Sequence, residues 1–150
     1  MKENFNMIIE KYDNYKDLIP FYISRGLEFE DDFDNKSVFS LILKNNDEMI
    51  GAATYTKMNE DYIIEAIAIT ENETKKGYGK QLLTKVLNEI KLLNGTDIYL
   101  VAKEPIFFKK NGFIEIDESK APSFSCCFMC PDYKITCFPI VMKYTNGKEI

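Results

Sequence analysis

Apolar residues recur along this chain in two rhythms. Alternating or continuous apolar runs point to strands, and apolar positions three and four apart point to helices. The run Phe5 to Ile9 predicts a first strand. Asn14 and Asp17 stand at capping spacing ahead of Leu18, Ile19, Tyr22 and Ile23, which predicts a helix ending near Gly26. The acidic stretch Glu28 to Lys36 reads as a connector or a short second helix. Val38 to Leu43 and Met49 to Thr56 flank the turn Asn45-Asn46-Asp47 and predict a hairpin. A second turn at Asn59-Glu60-Asp61 leads into Tyr62 to Ile69. Strict alternation puts Ile63, Ile67 and Ile69 on one face of that run and Tyr62, Ile64, Ala66 and Ala68 on the other. Two apolar faces mean a strand covered from both sides, at the centre of a sheet. It carries one charge, Glu65.

Past the loop Thr70 to Lys76, Gly77-Tyr78-Gly79 opens the clearest amphipathic helix. Leu82, Leu83, Val86, Leu87, Ile90 and Leu93 form its apolar face, and Asn94-Gly95 ends it. Asp97 to Val101 predicts a strand. Pro105 to Lys110 predicts a short helix stopped by Asn111-Gly112, and Phe113 to Ile116 another strand. Phe138 to Tyr144 follows an irregular cysteine-bearing segment and predicts the last strand. No repeat, linker or low-complexity tract divides the chain, so residues 1–150 are expected to form one domain. The order of elements predicts a mixed α/β sheet with helices on its faces.

Composition narrows the chemistry. There is no histidine, which removes Ser-His-Asp and Cys-His catalysis, histidine ligands and histidine bases. Acid–base work then falls to Glu, Asp, Tyr, Lys, Cys, the backbone or water. The 19 basic and 24 acidic residues leave a formal charge of −5, with no basic stripe to track a phosphate backbone, so nucleic acid is not an expected partner. Solubility explains the acidic balance, and a mild preference for cationic substrates is the other reading. No apolar run approaches the roughly 18 residues of a membrane span. No apolar stretch backs Met1-Lys2-Glu3-Asn4, so a cytoplasmic protein without a signal peptide is expected.

The strand–loop–helix junction carries the strongest chemical signal. Glycines at a helix start let backbone N–H groups approach an anion, and the helix dipole favours the same anion. Lys75, Lys76 and Lys80 add positive charge around Gly77-Tyr78-Gly79, an arrangement suited to a pyrophosphate. A tight strand-to-helix turn explains the glycines equally well when they are taken alone. The Walker A pattern is absent, and Leu82 stands where a dinucleotide fingerprint needs its third glycine.

Two separated motifs turn this signal into a family resemblance. Ile64 to Thr70, then Lys75-Lys76-Gly77-Tyr78-Gly79-Lys80-Gln81-Leu82-Leu83, resembles the acetyl-CoA motif [QR]-x-x-G-x-[GA] that follows the fourth strand of GNAT acetyltransferases. Further on, Phe107-Phe108-Lys109-Lys110-Asn111-Gly112-Phe113 resembles the family's F-Y-x-x-x-G-F helix end. The resemblance covers residues 5 to 116 in element order. It implies a central mixed sheet of about six or seven strands flanked by helices on both faces. It also implies an enzyme that moves the acetyl group of acetyl-CoA directly onto a primary amine of a small molecule or amino acid. Acetyl-CoA is then a co-substrate, and the protein a monomer or homodimer. The coenzyme contacts implied are Ile67, Ala68, Ile69, Thr74, Lys75, Lys76, Gly77, Tyr78, Gly79, Lys80 and Phe108. The backbone N–H near Ile67 corresponds to the family's oxyanion donor.

Glu65 is the candidate general base, since a carboxylate within an apolar strand is costly to bury unless hydrated or paired. A purely structural carboxylate beside the sheet is its other reading. Two positions depart from the family pattern. Thr74 stands where Gln or Arg is preferred, and Phe108 stands where many members carry the Tyr proposed as general acid. Val101 to Phe108 is similar to a Phe-Phe subgroup of the family, some of whose members share a C-x-x-C-P tail. The vacant acid role keeps a catalytically silent acyl-CoA-binding sensor open as an alternative.

The tail itself holds Cys126, Cys127 and Cys130 before Pro131, then Cys137. Structural thiols are the plain reading, and a metal or redox module is the other. The adjacency of Cys126 and Cys127 and the lack of histidine argue against a metal, and none is expected. A reducing cytosol argues against a lasting disulfide.

Overall fold

The computed structural model describes residues 7–27, 37–71, 77–117, 120 and 140–145. Among these residues, seven strands form one sheet: β1 Met7–Lys11, β2 Ser37–Asn45, β3 Glu48–Met58, β4 Asp61–Ile69, β5 Asp97–Ala102, β6 Ile114–Glu115 and β7 Ile140–Thr145. Their order is β1-β2-β3-β4-β5-β7-β6. Only β4 and β5 run parallel, and every other neighbouring pair is antiparallel. Helices α1 Ile19–Ser24, α2 Tyr78–Leu92 and α3 Pro105–Lys110 complete the described elements. This is the mixed α/β sheet expected from the order of elements. No helix among the described residues is long and apolar enough to cross a membrane.

Local chemistry accounts for the boundaries. Asn46 and Asn59 adopt left-handed backbone at the two hairpin turns, a conformation asparagine tolerates better than most residues. The expected first helix is divided: residues Tyr15–Leu18 form a 3-10 turn and α1 follows. Asn14 caps the 3-10 turn by accepting from the Lys16 N–H, and Pro20 sits in the first turn of α1, where its missing N–H leaves no bond unmade.

Two apolar layers clasp the sheet. On one face α2 and α3 bring Leu82, Leu83, Val86, Ile90 and Phe108 onto Leu41, Leu43, Tyr55, Ile98 and Leu100. On the other face Leu18 and Tyr22 cover Ile42, Ala52 and Ala66. Strand β5 obeys strict alternation, with Ile98, Leu100 and Ala102 facing the α2 layer and Tyr99 and Val101 the opposite one.

Strand β4 does not. Tyr62 and Ile64 join the α2 layer, but so do Ile67 and Ile69, while Ile63, Ala66 and Ala68 face the other way. The faces read from the sequence are therefore corrected. A β-bulge switches the parity, because Thr54 pairs with Ala66 and Tyr55 with Ile64, so that Glu65 is the extra residue of β4 between them. The expected apolar face of α2 needs one correction too. Leu93 lies just past the helix end and is 48% exposed, because the chain has already turned away from the sheet.

That turn depends on close packing. Asn94 takes the left-handed position, and the Gly95 N–H returns to the Ile90 carbonyl at 2.9 Å. A Cβ at Gly95 would lie 2.5 Å from Tyr62 Cε1 and 2.6 Å from Ile90 Cγ2. Gly95→Ala is expected to lower unfolding free energy by about 1–3 kcal/mol through this overpacking, measurable by urea denaturation.

Candidate functional site

The bulge at Glu65 divides β4 into two parts. Before it, β4 pairs with β5 through Tyr62 with Ile98 and Ile63 with Tyr99. After it, β4 continues to Ile69 and β5 to Ala102 without pairing with each other. Strand β5 stays bonded to β7 along its whole length. The two central parallel strands thus part company at the bulge, and among the described residues the ladder leaves a cleft between their C-terminal ends.

The ladder shows what β4 presents to that cleft. Thr70 donates its N–H to the Ile50 carbonyl at 2.9 Å. In an antiparallel pair, bonded and non-bonded residues alternate. With Ala68 opposite Ala52 and Ala66 opposite Thr54, these alanines use their amides on β3. Ile67 and Ile69 fall between them and turn their N–H and C=O groups towards the β5 side. Of the three coenzyme contacts expected on β4, Ile67 and Ile69 offer backbone groups to the cleft. Ala68 does not, and it packs in the α1 layer instead.

The cleft ends beneath the start of α2. Gly77 caps this helix with φ +85°, a left-handed conformation that a side chain would strain. Gly79 is different. A Cβ there would meet Phe107 Cζ at 3.5 Å and Ile69 Cγ1 at 4.0 Å, which are ordinary contacts. Nothing inside the fold requires glycine at 79, and glycine in a helix is less stable than alanine. Tyr78 is half-buried against the main core and Lys80 is exposed. A groove of about 430 Å³ along α2 is lined by Gly77, Lys80, Gln81, Thr84, Lys85 and Asn88 together with Ile9 of β1. Thr74, Lys75 and Lys76 lie outside the described residues, as do all four cysteines and the stretch 28–36.

Helix α3 brings its aromatic side chains towards the head of α2. Phe108 is buried and meets the Phe107 and Phe113 rings edge-on, with centroids 5.0 Å and 5.5 Å apart. Phe107, not Phe108, is the ring that faces Gly79.

The α1 face of the sheet holds a line of hydroxyls. Thr54 Oγ1 lies 2.8 Å from both the Tyr22 hydroxyl and Ser40 Oγ. All three groups are buried. Burial holds the Tyr22 phenol well above its ordinary pKa, against a smaller lowering by its bond to Thr54, so it stays neutral. Two residues along β3, the fully buried Thr56 donates to Glu65 Oε2 at 2.8 Å. This bond places the Glu65 carboxylate on the α1 face, half-buried at the point where the strands diverge. Sequence reasoning selected Glu65 but neither the bulge beneath it nor Thr56. The polar pair Thr54 and Thr56 within an apolar strand was the available signal. Among the described residues no cluster of metal-ligating side chains occurs.

The two glycines at the head of α2 should respond oppositely to alanine. Gly77→Ala is expected to destabilise the protein by about 1–2 kcal/mol, because a Cβ opposes its left-handed backbone. Gly79→Ala is expected to leave stability unchanged or raise it by up to about 1 kcal/mol. Thermal denaturation of the two variants checks both.

Comparison with known proteins bears on the family and the fold. Residues 5–113 match the acetyltransferase (GNAT) family. No curated protein matches the sequence. Among solved structures, a GNAT-family acetyltransferase from Staphylococcus aureus superposes with a TM-score of 0.72 at 20% identity, covering 93% of this chain and 98% of that one. N-acetylglutamate synthase from Neisseria gonorrhoeae, complexed with coenzyme A and N-acetylglutamate, gives 0.71 at 15% identity. That match covers 98% of this chain but 36% of the synthase. A GNAT-family acetyltransferase from Elizabethkingia anophelis with acetyl-CoA bound gives 0.63 at 19% identity, covering 93% and 98%. At these identities the likeness is one of fold.

Proposed function

The chain belongs to the acetyltransferase (GNAT) family, and we propose that it transfers the acetyl group of acetyl-CoA directly to a primary amine of a small molecule or amino acid. One observation carries this reading. Among the described residues no strand pairs with the edge of β4 between the Glu65 bulge and the glycine-opened head of α2, and Ile67 and Ile69 turn into that gap. An extended amide-bearing arm can lie along such an edge, and a diphosphate can lie at such a helix end. Gly79 supports this because its missing side chain serves nothing within the fold. Thr74, Lys75, Lys76, Gly77, Tyr78, Gly79 and Lys80 are assigned to the phosphates. Ile67 and the N–H of Ile69 are assigned to the arm, with Phe107 and the buried Phe108 behind it, while Ala68 holds this stretch to β3.

In this mechanism the acceptor arrives as an ammonium, since free amines of this kind have pKa values of about 10. Glu65 takes the proton, and the amine attacks the thioester carbon. The Ile67 N–H donates to the resulting oxyanion. The attacking nitrogen then gives its second proton to water, and collapse breaks the C–S bond and leaves the neutral amide. The departing thiolate takes its proton from water, since Phe108 has none to give and its own pKa of about 8.5 makes it a fair leaving group. Juxtaposition of the two substrates in the cleft supplies much of the acceleration.

Binding and chemistry can be tested separately. Gly79→Asp is expected to weaken acetyl-CoA binding at least tenfold in calorimetry, since a carboxylate would oppose the diphosphate. Unchanged affinity removes the phosphate assignment. Glu65→Gln is expected to lower kcat/KM by about 10²- to 10⁴-fold with acetyl-CoA affinity little changed. Coenzyme binding without turnover of any amine by the wild type would instead indicate the acyl-CoA sensor.

Thr56 provides a finer test of the base. Its hydroxyl stabilises the charged form of Glu65, so Thr56→Val should move the acidic limb of the pH–rate profile to higher pH. Thr56→Ser should restore it. A profile unmoved by Thr56→Val counts against Glu65 as the titrating base.

A further inference from the structure

Arg25 is the one arginine among the chain's 19 basic residues, and three features fix its position. It caps α1, its N–H bonding to the Phe21 and Tyr22 carbonyls. Gly26 then turns left-handed, and the Leu27 N–H returns to the Tyr22 carbonyl at 3.1 Å, which locks the helix end. Tyr22 is itself wholly buried and bonded to Thr54. From this anchored base the Arg25 side chain donates its Nε–H to the Ile69 carbonyl at 2.8 Å. That carbonyl faces the cleft, so the guanidinium stands at the cleft mouth.

Among the described residues its charge has no counter-ion. The ion pairs found among the described residues are Lys44 with Glu10 and Lys143 with Asp97, and no described carboxylate pairs with Arg25. Among the described residues its side-chain hydrogen bond is made through Nε, and the Nη1/Nη2 edge of this half-buried guanidinium matches the two oxygens of a carboxylate. The structure also indicates from which substrate the anion comes. Arg25 rises from α1 and Glu65 is held by Thr56, both on the α1 face of the sheet. The head of α2 belongs to the opposite layer.

We infer that Arg25 is the carboxylate anchor of the acceptor site, so that the acceptor is an amine that also carries a carboxylate. This inference rests on the acetyl-transfer reading above. Ile67 and Ile69 are two residues apart, about 7 Å along the strand. The anchored carboxylate therefore stands several bonds from the reacting amine. An ω-amino carboxylate or the side-chain amine of an amino acid spans that interval, and an α-amine does not.

The test uses matched acceptors: ω-amino carboxylates of increasing length and L-lysine, each beside its carboxamide. Thiol release from acetyl-CoA is followed for the wild type, Arg25→Gln and Arg25→Lys. The expected wild-type preference for the carboxylate form is about 10- to 100-fold in kcat/KM, the range of a charge-assisted hydrogen-bonded pair. Arg25→Gln should abolish it through the acceptor KM while the acetyl-CoA KM holds. Arg25→Lys, which keeps the charge, should retain part of it and guards against a variant that merely unfolds. Equal turnover of carboxylate and carboxamide overturns the inference and leaves acetyl transfer standing. Weakened coenzyme affinity in Arg25→Gln with the preference intact also overturns it, assigning the guanidinium to a coenzyme phosphate. Failure of the wild type to acetylate any of these amines removes the acetyl-transfer reading for them and this inference with it.

Discussion

One extra residue in one strand organises this molecule. The bulge at Glu65 breaks the hydrogen-bonded continuity of β4 near its midpoint. Without it, β4 and β5 could stay paired to their C-terminal ends, and the sheet would have no gap. With it, the strands separate after two paired positions, and a central strand acquires an open edge inside the protein. Open edges are ordinarily a liability, because unpaired N–H and C=O groups seek partners. Here helices lie on both faces of the strand, α2 on one and α1 on the other. The same bulge turns a carboxylate onto the α1 face.

The two sides of the sheet divide the labour by chemistry. The α2 face is a close-packed apolar layer whose aliphatic and aromatic side chains hold the helix over the strands. Tyr55 adds a tie there, donating to Glu89 of α2 at 2.7 Å. The α1 face is thinner and more polar. Ser40, Thr54, Thr56 and Tyr22 are buried with their hydroxyls in mutual contact or on Glu65. Fully partnered buried hydroxyls give position at little energetic cost, whereas an unpartnered one would be expensive. The rigid layer therefore supports the helix head, and the polar layer supports the charged side chains.

Much of the fold was legible because it follows from local periodicity. Both hairpins, the long α2 and the Phe107–Phe113 segment fell where alternation, helical spacing and turn residues placed them. The strand ends moved by one to a few residues, as at β3, which runs from Glu48 to Met58. Misread features were those without a local signal. A bulge needs only one extra residue, and its effect on parity is visible only against the partner strand. Leu93 looks apolar-face by spacing, yet the helix has stopped before it. The choice of Phe108 over Phe107 as the ring near the cleft depended on the direction of α3, which spacing does not contain.

The sequence by itself determined the class of fold, the strand–glycine–helix junction and the identity of Glu65 as the lone charge within the apolar run Tyr62 to Ile69. Those follow from residue type and short-range spacing, which the backbone reads within a few residues. The tertiary structure alone decided that β4 opens towards β5, that Thr56 holds Glu65 and that Arg25 reaches Ile69 across 44 positions of sequence. These depend on contacts between residues far apart in the chain. Such contacts form only when layers pack, so no local pattern records them.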